Sequence, residues 1–248
     1  MQYDEAKIMT KRAIPGFTCT PRDEYYQLRK IGLTADRVRT DPAFGATRLQ
    51  AADFARALQL AGAIIKPLWV GLTIKQPLRA FAGCIRRAMQ YDPHQPPGFR
   101  TLNGSNAQHL KGFDFNPQHT WHNSVMCSPV VNWQNTVASL QWPAITPALH
   151  LLPPAEAVAF RIRCTLVGIH DKGAVSTAPV QQTTLMPLRL LQTPGSMHAF
   201  EIVAGTRVAL LVVIVRWYRP SPGTGTGNGH LCNVDGAMLI QSVYSVVS

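Results

Sequence analysis

Eight consecutive apolar residues, Val208 to Val215, constrain the fold of this chain more than any other stretch. They sit between Arg207 and Arg216-Trp217-Tyr218, and most are β-branched. The run is too short to cross a bilayer and too rich in Val to prefer a helix. An apolar run without alternation reads as a central strand covered on both faces. Everything beyond about residue 120 is expected to be β-structure built around it.

Other stretches support that expectation. Ala138, Leu140 and Trp142 alternate with Ser139 and Gln141. Val158, Phe160, Ile162, Cys164 and Leu166 alternate with Arg161, Arg163 and Thr165, which predicts an antiparallel strand with one wet face. Met197–Val203 and Arg207–Tyr218 are expected to form a hairpin across Ala204-Gly205-Thr206. Pro220–Gly229 reads as a long loop, Asp235-Gly236 as a turn, and Ala237–Val247 as the last strand. Roughly seven strands with frequent turn signals predict an immunoglobulin-like antiparallel β-sandwich over residues 117–248. The 19 prolines, 18 glycines and only 15% charged residues agree with short elements joined by turns.

The first half reads differently. Residues 1–46 lack periodicity and are punctuated by Pro15, Gly16, Pro21, Gly32 and Pro42, with a short helix expected around Asp23–Lys30. Such a segment is uncommon inside a compact domain and reads as an extended basic arm lying on a neighbour. Residues 47–116 read as a helical region. Phe54, Leu58, Ala61, Ile65 and Leu68 form one apolar face of a helix capped by Thr47 and ending near Lys66, before Pro67. Pro77 to Met89 gives a second helix with Leu78, Phe81, Ile85 and Met89 as its stripe, and the two pair as a hairpin. Tyr91–Gly98 is a Pro-rich loop, followed by a short helix near Ser105–Leu110 and a boundary near Pro117. The whole is an α+β chain.

Net charge is +11 and the pI is near 9.9. Residues 1–116 carry 17 Lys/Arg against 9 Asp/Glu, and residues 117–248 carry 7 against 4. A basic first half fits nucleic acid, an acidic surface, or an acidic patch on a partner subunit. The candidate intersubunit or phosphate-contacting residues are Arg12, Arg22, Arg29, Lys30, Arg37 and Arg39 in the arm, with Lys75, Arg79, Arg86 and Arg87 on the second helix. Arginine suits bidentate pairing with carboxylates and phosphates alike. Against a nucleic-acid role, no recognised binding motif or stacking platform accompanies them.

Catalytic motifs are weak. His119-Thr-Trp-His122 lacks the companions of a zinc site. Gly223-Thr-Gly-Thr-Gly-Asn-Gly229 lacks the Lys-Ser/Thr ending of a phosphate loop. There is no Gly-x-Ser-x-Gly elbow, and acids are few. No catalytic residue, cofactor or metal is assigned, and an enzyme is the reading ranked last. Five scattered cysteines fit a reducing compartment, and the N-terminus lacks an apolar leader. The expectation is a cytoplasmic protein with no membrane association.

Several motifs carry a resemblance: Asp41-Pro-Ala-Phe44 with Thr47-Arg48, Ala52-Asp-Phe-Ala-Arg-Ala57, Leu110-Lys-Gly-Phe-Asp-Phe-Asn116, Ala159-Phe-Arg-Ile162, Trp217-Tyr218 and Asn233-Val-Asp-Gly-Ala-Met238. The chain resembles an uncharacterised family of bacterial proteins common in Bacteroidota genomes. The resemblance implies a helical N-terminal half followed by a β-domain, and brings no activity, cofactor or catalytic residue. The Gly-rich loop Pro220–Gly229 departs from it.

Two functions are therefore expected, in this order. The first is a structural protein that self-assembles into a repeating homo-oligomer, such as a tube, filament or shell, with residues 1–46 and the Pro220–Gly229 loop at intersubunit contacts. The second is a nucleic-acid-binding or packaging protein, capsid-like in kind.

Overall fold

A computed structural model describes residues 17–21, 26–30, 34–68, 78–134, 136–220 and 231–245. The chain divides between Gln50 and Ala51 into two compact units.

In the first unit, β1 (Phe17–Pro21) and β2 (Tyr26–Lys30) form an antiparallel hairpin, with Phe17 opposite Lys30. This corrects the helix expected around Asp23–Lys30. Pairing two short segments gives both backbones partners, which no periodicity within one of them could reveal. Thr34 caps α1 (Ala35–Thr40) by accepting from the Arg37 N–H at 3.2 Å. Asp41 then accepts from Ala43 N at 2.9 Å and opens a 3-10 turn, Pro42–Phe44. That turn feeds directly into α2 (Gly45–Leu68), so Thr47 lies inside the helix and is not its cap. The Arg48 guanidinium donates back to the carbonyls of Val38 (2.9 Å) and Asp41 (2.8 Å), closing this corner.

The second unit has three layers. Its middle is an antiparallel sheet in the order β11-β10-β5-β6, with β5 Ala159–His170, β6 Val175–Thr177, β10 Thr206–Pro220 and β11 Leu231–Ser245. Two short strands, β7 (Gln181–Gln182) and β8 (Met186–Pro187), also pair with β5. The outer layer on one side is a three-stranded sheet in the order β3-β4-β9, with β3 Val130–Gln134, β4 Val137–Trp142 and β9 Ser196–Glu201. Short helices α4 (Trp121–Ser124) and α5 (Pro147–His150) accompany it. On the other side lie α2 and α3 (Leu78–Met89).

The strand β10 explains this arrangement. Val208, Leu210, Val212 and Ile214 enter one core with Ala57, Ala61, Ile64, Phe81 and Ile85 of the helices. Ala209, Leu211, Val213, Val215 and Trp217 enter the other, with Leu140, Trp142 and Phe200 of the outer sheet. Each strand residue has alternating direction, so a strand buried on both faces must be apolar throughout. The helical core runs on through Phe113 and Phe115, whose rings sit 4.8 and 4.9 Å from Phe81. It therefore continues across Pro117 into the sheet.

Four local expectations are corrected. β9 and β10 do not form a hairpin: β9 pairs with β4, while β5 and β11 occupy both edges of β10. The turn between them, with Gly205 at φ 79°, switches sheets instead. Gly236 is not in a turn but lies inside β11, beside a bulge between Val215 and Trp217. The far face of β5 is not wet along its length. Thr165 is 3% exposed, with its hydroxyl donating to the Ala178 carbonyl at 2.9 Å. The apolar stripe of α2 is also rotated, because Asp53 is buried and Phe54 is 37% exposed. The Asp53 carboxylate accepts from Gly98 N at 3.0 Å, which turns that side of the first helical turns inward.

Candidate functional site

Three features of the second unit present chemistry to a partner or ligand: an outer sheet, an arginine cluster and a loop held by buried polar side chains.

The outer sheet is built by alternation. On β4, Ala138, Leu140 and Trp142 are buried, so Val137, Ser139 and Gln141 face outward. Register places Val130, Gln141 and Met197 in one row and Asn132, Ser139 and Ala199 in the next; Gln134, Val137 and Glu201 make the third. Glu201 is the single charge on those nine positions. The two outer strands differ. On β9 one edge carbonyl is capped, since the Gln181 side-chain amide donates to Ala199 O. Its buried His198 lies 3.2 Å from Gln181 Oε1 and 3.5 Å from Ser196 Oγ, and burial holds the imidazole below the usual histidine range. Among the described residues β3 pairs only with β4. Its sequence, Val-Val-Asn-Trp-Gln, contains no charge and no proline, the usual devices that blunt an edge. Trp133 anchors it inward by stacking on Tyr244 at 4.9 Å and donating to Ser242 Oγ at 3.0 Å.

The arginine cluster lies on the opposite, helix-side face of the central sheet, beyond the last apolar row. Arg216 of β10 is the register partner of Arg161 on β5, and Arg163 follows two residues along. Arg216 is 7% exposed. Burial lowers its pKa from the usual arginine value, as do the neighbouring charges of Arg163 and Arg161, against a hydrogen bond with Tyr218. The Arg161 guanidinium sits 5.8 Å from the centre of the Tyr218 ring.

The loop from Tyr91 to Asn106 is ordered by three side chains. Asp92 is buried and accepts from His94 N (3.0 Å), Thr101 N (3.1 Å) and Thr101 Oγ (3.2 Å). Fully buried Asn106 donates to the Thr101 carbonyl at 2.9 Å and accepts from Asn103 N at 2.9 Å. Burial alone would raise the Asp92 carboxyl; the three hydrogen bonds outweigh it and hold it below the usual carboxylate range. A carboxyl lowered by folding stabilises above its unfolded pKa, about 3.9, and that contribution disappears as pH falls through the folded value. Asp92→Asn should therefore be less stable than the parent at pH 7 by about 1–3 kcal/mol, with the gap narrowing as pH falls below the unfolded value. Urea midpoints at pH 7 and at a series of lower pH values check this. A gap that is constant with pH would contradict the assignment.

The sequence-predicted basic residues are dispersed. Arg12, Arg22 and Lys75 lie outside the described residues, and Arg29 and Lys30 are placed on β2. Arg37 is exposed and pairs with Asp41 at 3.4 Å; Arg39 is exposed on the same helix. Arg79 and Arg87 are exposed on α3, and Arg86 is half-buried. Of His119 and His122, the second is exposed on α4 near Asp114. Asp114 accepts from the backbone of Trp121 and Asn116, and burial holds its carboxyl above the usual range. Among the described residues no group of three His, Cys, Asp or Glu is placed to hold a metal ion. No described helix is long and apolar enough to cross a membrane. Cys164, buried in the core, has its thiol pushed up to about 12, so it serves as apolar filler.

Sequence reasoning missed the β3 edge and Arg216. The signal for β3 was there, since Val, Val and Trp in five residues favour a strand. Arg216 was read only as the end of an apolar run.

These features define an α+β protein with antiparallel sheets. No protein-family model matches the chain, and no curated protein matches it.

Proposed function

We propose that this chain is a structural protein that assembles with copies of itself, and that its two facing sheets are an immunoglobulin-like sandwich presenting β3 for strand addition. The observation that carries this reading is the uncharged, proline-free edge Val130–Gln134 beside an outward face with one charge in nine positions. On a chain of net charge +11, that surface is where two copies meet without like-charge repulsion. Pairing of β3 with β3 is isologous and closes a dimer, so growth into a tube, filament or shell needs a second, heterologous contact. The reading assigns that contact to residues 1–46 and the Pro220–Gly229 loop.

In an antiparallel β3 pair, Asn132 lies at the strand centre and faces its own copy. Asn132→Lys therefore places like charges directly opposite each other. Light scattering and negative-stain microscopy should show regular assemblies for the parent and loss of the β3 contact in the variant, with unchanged thermal stability. A chain lacking residues 1–40 should stop at small species. A parent that is a monodisperse monomer, or a variant that assembles like the parent, would overturn the reading.

A second reading, nucleic-acid packaging, is favoured by the adjacency of Arg161, Arg163 and Arg216, together with Arg79, Arg86 and Arg87 on α3. It predicts particles with excess absorbance at 260 nm and steeply salt-dependent binding that charge reversal at Arg161 and Arg79 weakens.

A further inference from the structure

A cavity of about 490 Å³ opens in the second unit between α2, the ordered loop and the junction of β5 with β10. Its lining includes none of the β3 residues or arginines invoked above, and it has two parts. The floor is apolar: Leu60, Met89, Ile169 and Val208, three of them buried. The rim carries Arg56, Arg100 and Arg207, which come from three separate elements. Thr101, Asn103 and His170 add hydrogen-bonding groups. Asp171 is the one carboxylate in the lining, and it pairs with Arg207.

The rim is held in place before any ligand arrives. Arg56 stands 3.4 Å from the buried Asp53 carboxylate and 5.6 Å from the centre of the Phe99 ring. Asp92 and Asn106 fix the backbone at Thr101, next to Arg100. Arg100 has its Nε buried with no hydrogen-bond partner among the described residues. A buried donor without a partner is costly, and native proteins leave few of them. Guanidinium groups match the oxygens of phosphate in geometry and charge. Arg56 and Arg100 beside an apolar floor fit a molecule with a phosphate at one end and a hydrophobic body at the other. The volume falls in the range of small-molecule sites, roughly 300–1,000 Å³, and exceeds what inorganic phosphate alone would fill.

We propose that this cavity is a binding site for a small organic phosphate, with Arg56 and Arg100 on the phosphate and Leu60, Met89, Ile169 and Val208 against its apolar body. The inference does not depend on the assembly reading.

Phenyl phosphate is the minimal probe, with inorganic phosphate and phenol as its two halves. Calorimetric titration of the full chain should give saturable 1:1 binding of phenyl phosphate, tighter than either half. Arg100→Gln and Arg56→Gln should each weaken it about tenfold or more. Lys111→Gln, exposed and outside the cavity lining, should leave it unchanged. Circular dichroism and the ligand-free melting temperature establish that each variant is folded. Absence of saturable phenyl phosphate binding would overturn the proposal. So would binding that the Lys111 change weakens as much as the rim changes, because that is general attraction to a basic protein.

Discussion

Trp217→Ala should lower stability by about 3–5 kcal/mol, the largest loss expected from any single truncation in the central sheet. Trp217 is fully buried near the end of β10 and shares a core with Phe160, whose ring centre is 6.3 Å away, and with Trp142 and Phe200. Its removal forfeits the transfer energy of the ring and leaves a cavity between two sheets that cannot close without moving both. Trp217→Phe separates size from polarity. The Trp217 indole N–H is buried and has no hydrogen-bond partner among the described residues. Phenylalanine deletes that donor along with part of the volume, so its cost should be well below that of alanine. Urea unfolding measures both, as a fall in midpoint at constant slope. A phenylalanine variant as unstable as the alanine one would mean that shape, not the loss of ring volume, dominates this site.

Gly236→Ala should cost about 3 kcal/mol for the opposite reason, overpacking. A Cβ at position 236 would stand 2.3 Å from the Val215 carbonyl oxygen and 3.3 Å from the Arg216 Cα. Both are backbone atoms, so relief requires β10 and β11 to move apart where the Gly236 carbonyl also accepts from Asn116 Nδ2 at 2.8 Å. A methyl group that is harmless on most of the surface should here disturb the strand pair and its neighbouring loop together. Gly83 is the control. Its added Cβ meets nothing within 4 Å, and it lies in a helix, so Gly83→Ala should be neutral or stabilising by up to about 1 kcal/mol. Equal losses at both positions would contradict the steric account.

What the sequence made legible follows the range of the interactions. The double-sided burial of β10 was readable because it is written in consecutive residues. So were the alternation of β5 from Phe160 to Leu166 and the α3 stripe of Phe81, Ile85 and Met89. Errors arose where a distant partner decides. Proximity in sequence favoured a β9–β10 hairpin, but β5 and β11 satisfy the hydrogen bonds of β10 better. Asp53, outside the predicted stripe of α2, is buried by its contact with Gly98, 45 residues away, which no local pattern shows. Asp235-Gly236 has the chemistry of a turn, and only the approach of Val215 explains the glycine inside a strand. The cavity rim was the least legible feature. Arg56, Arg100 and Arg207 are scattered among ordinary surface cations in the chain and meet only through the fold.

The two-sided burial of β10 has a consequence for how the sheet finds its alignment. In a strand with one wet face, sliding by a single residue turns the whole apolar set toward water, and solvent itself rejects the error. Between Val208 and Val215 that check is absent, because either alignment puts only hydrocarbon into both cores. Discrimination falls to irregularities. The pairing with β11 shifts between Leu211 and Val212 and again between Val215 and Trp217, and it shifts against β5 between Thr206 and Val208. A slid strand would bring a side chain where only Gly236 fits and would carry Arg216 toward a core. Exchanges among Val, Ile and Leu along β10 should therefore leave the alignment intact, whereas changes at these few irregular points should populate misaligned, slowly refolding states.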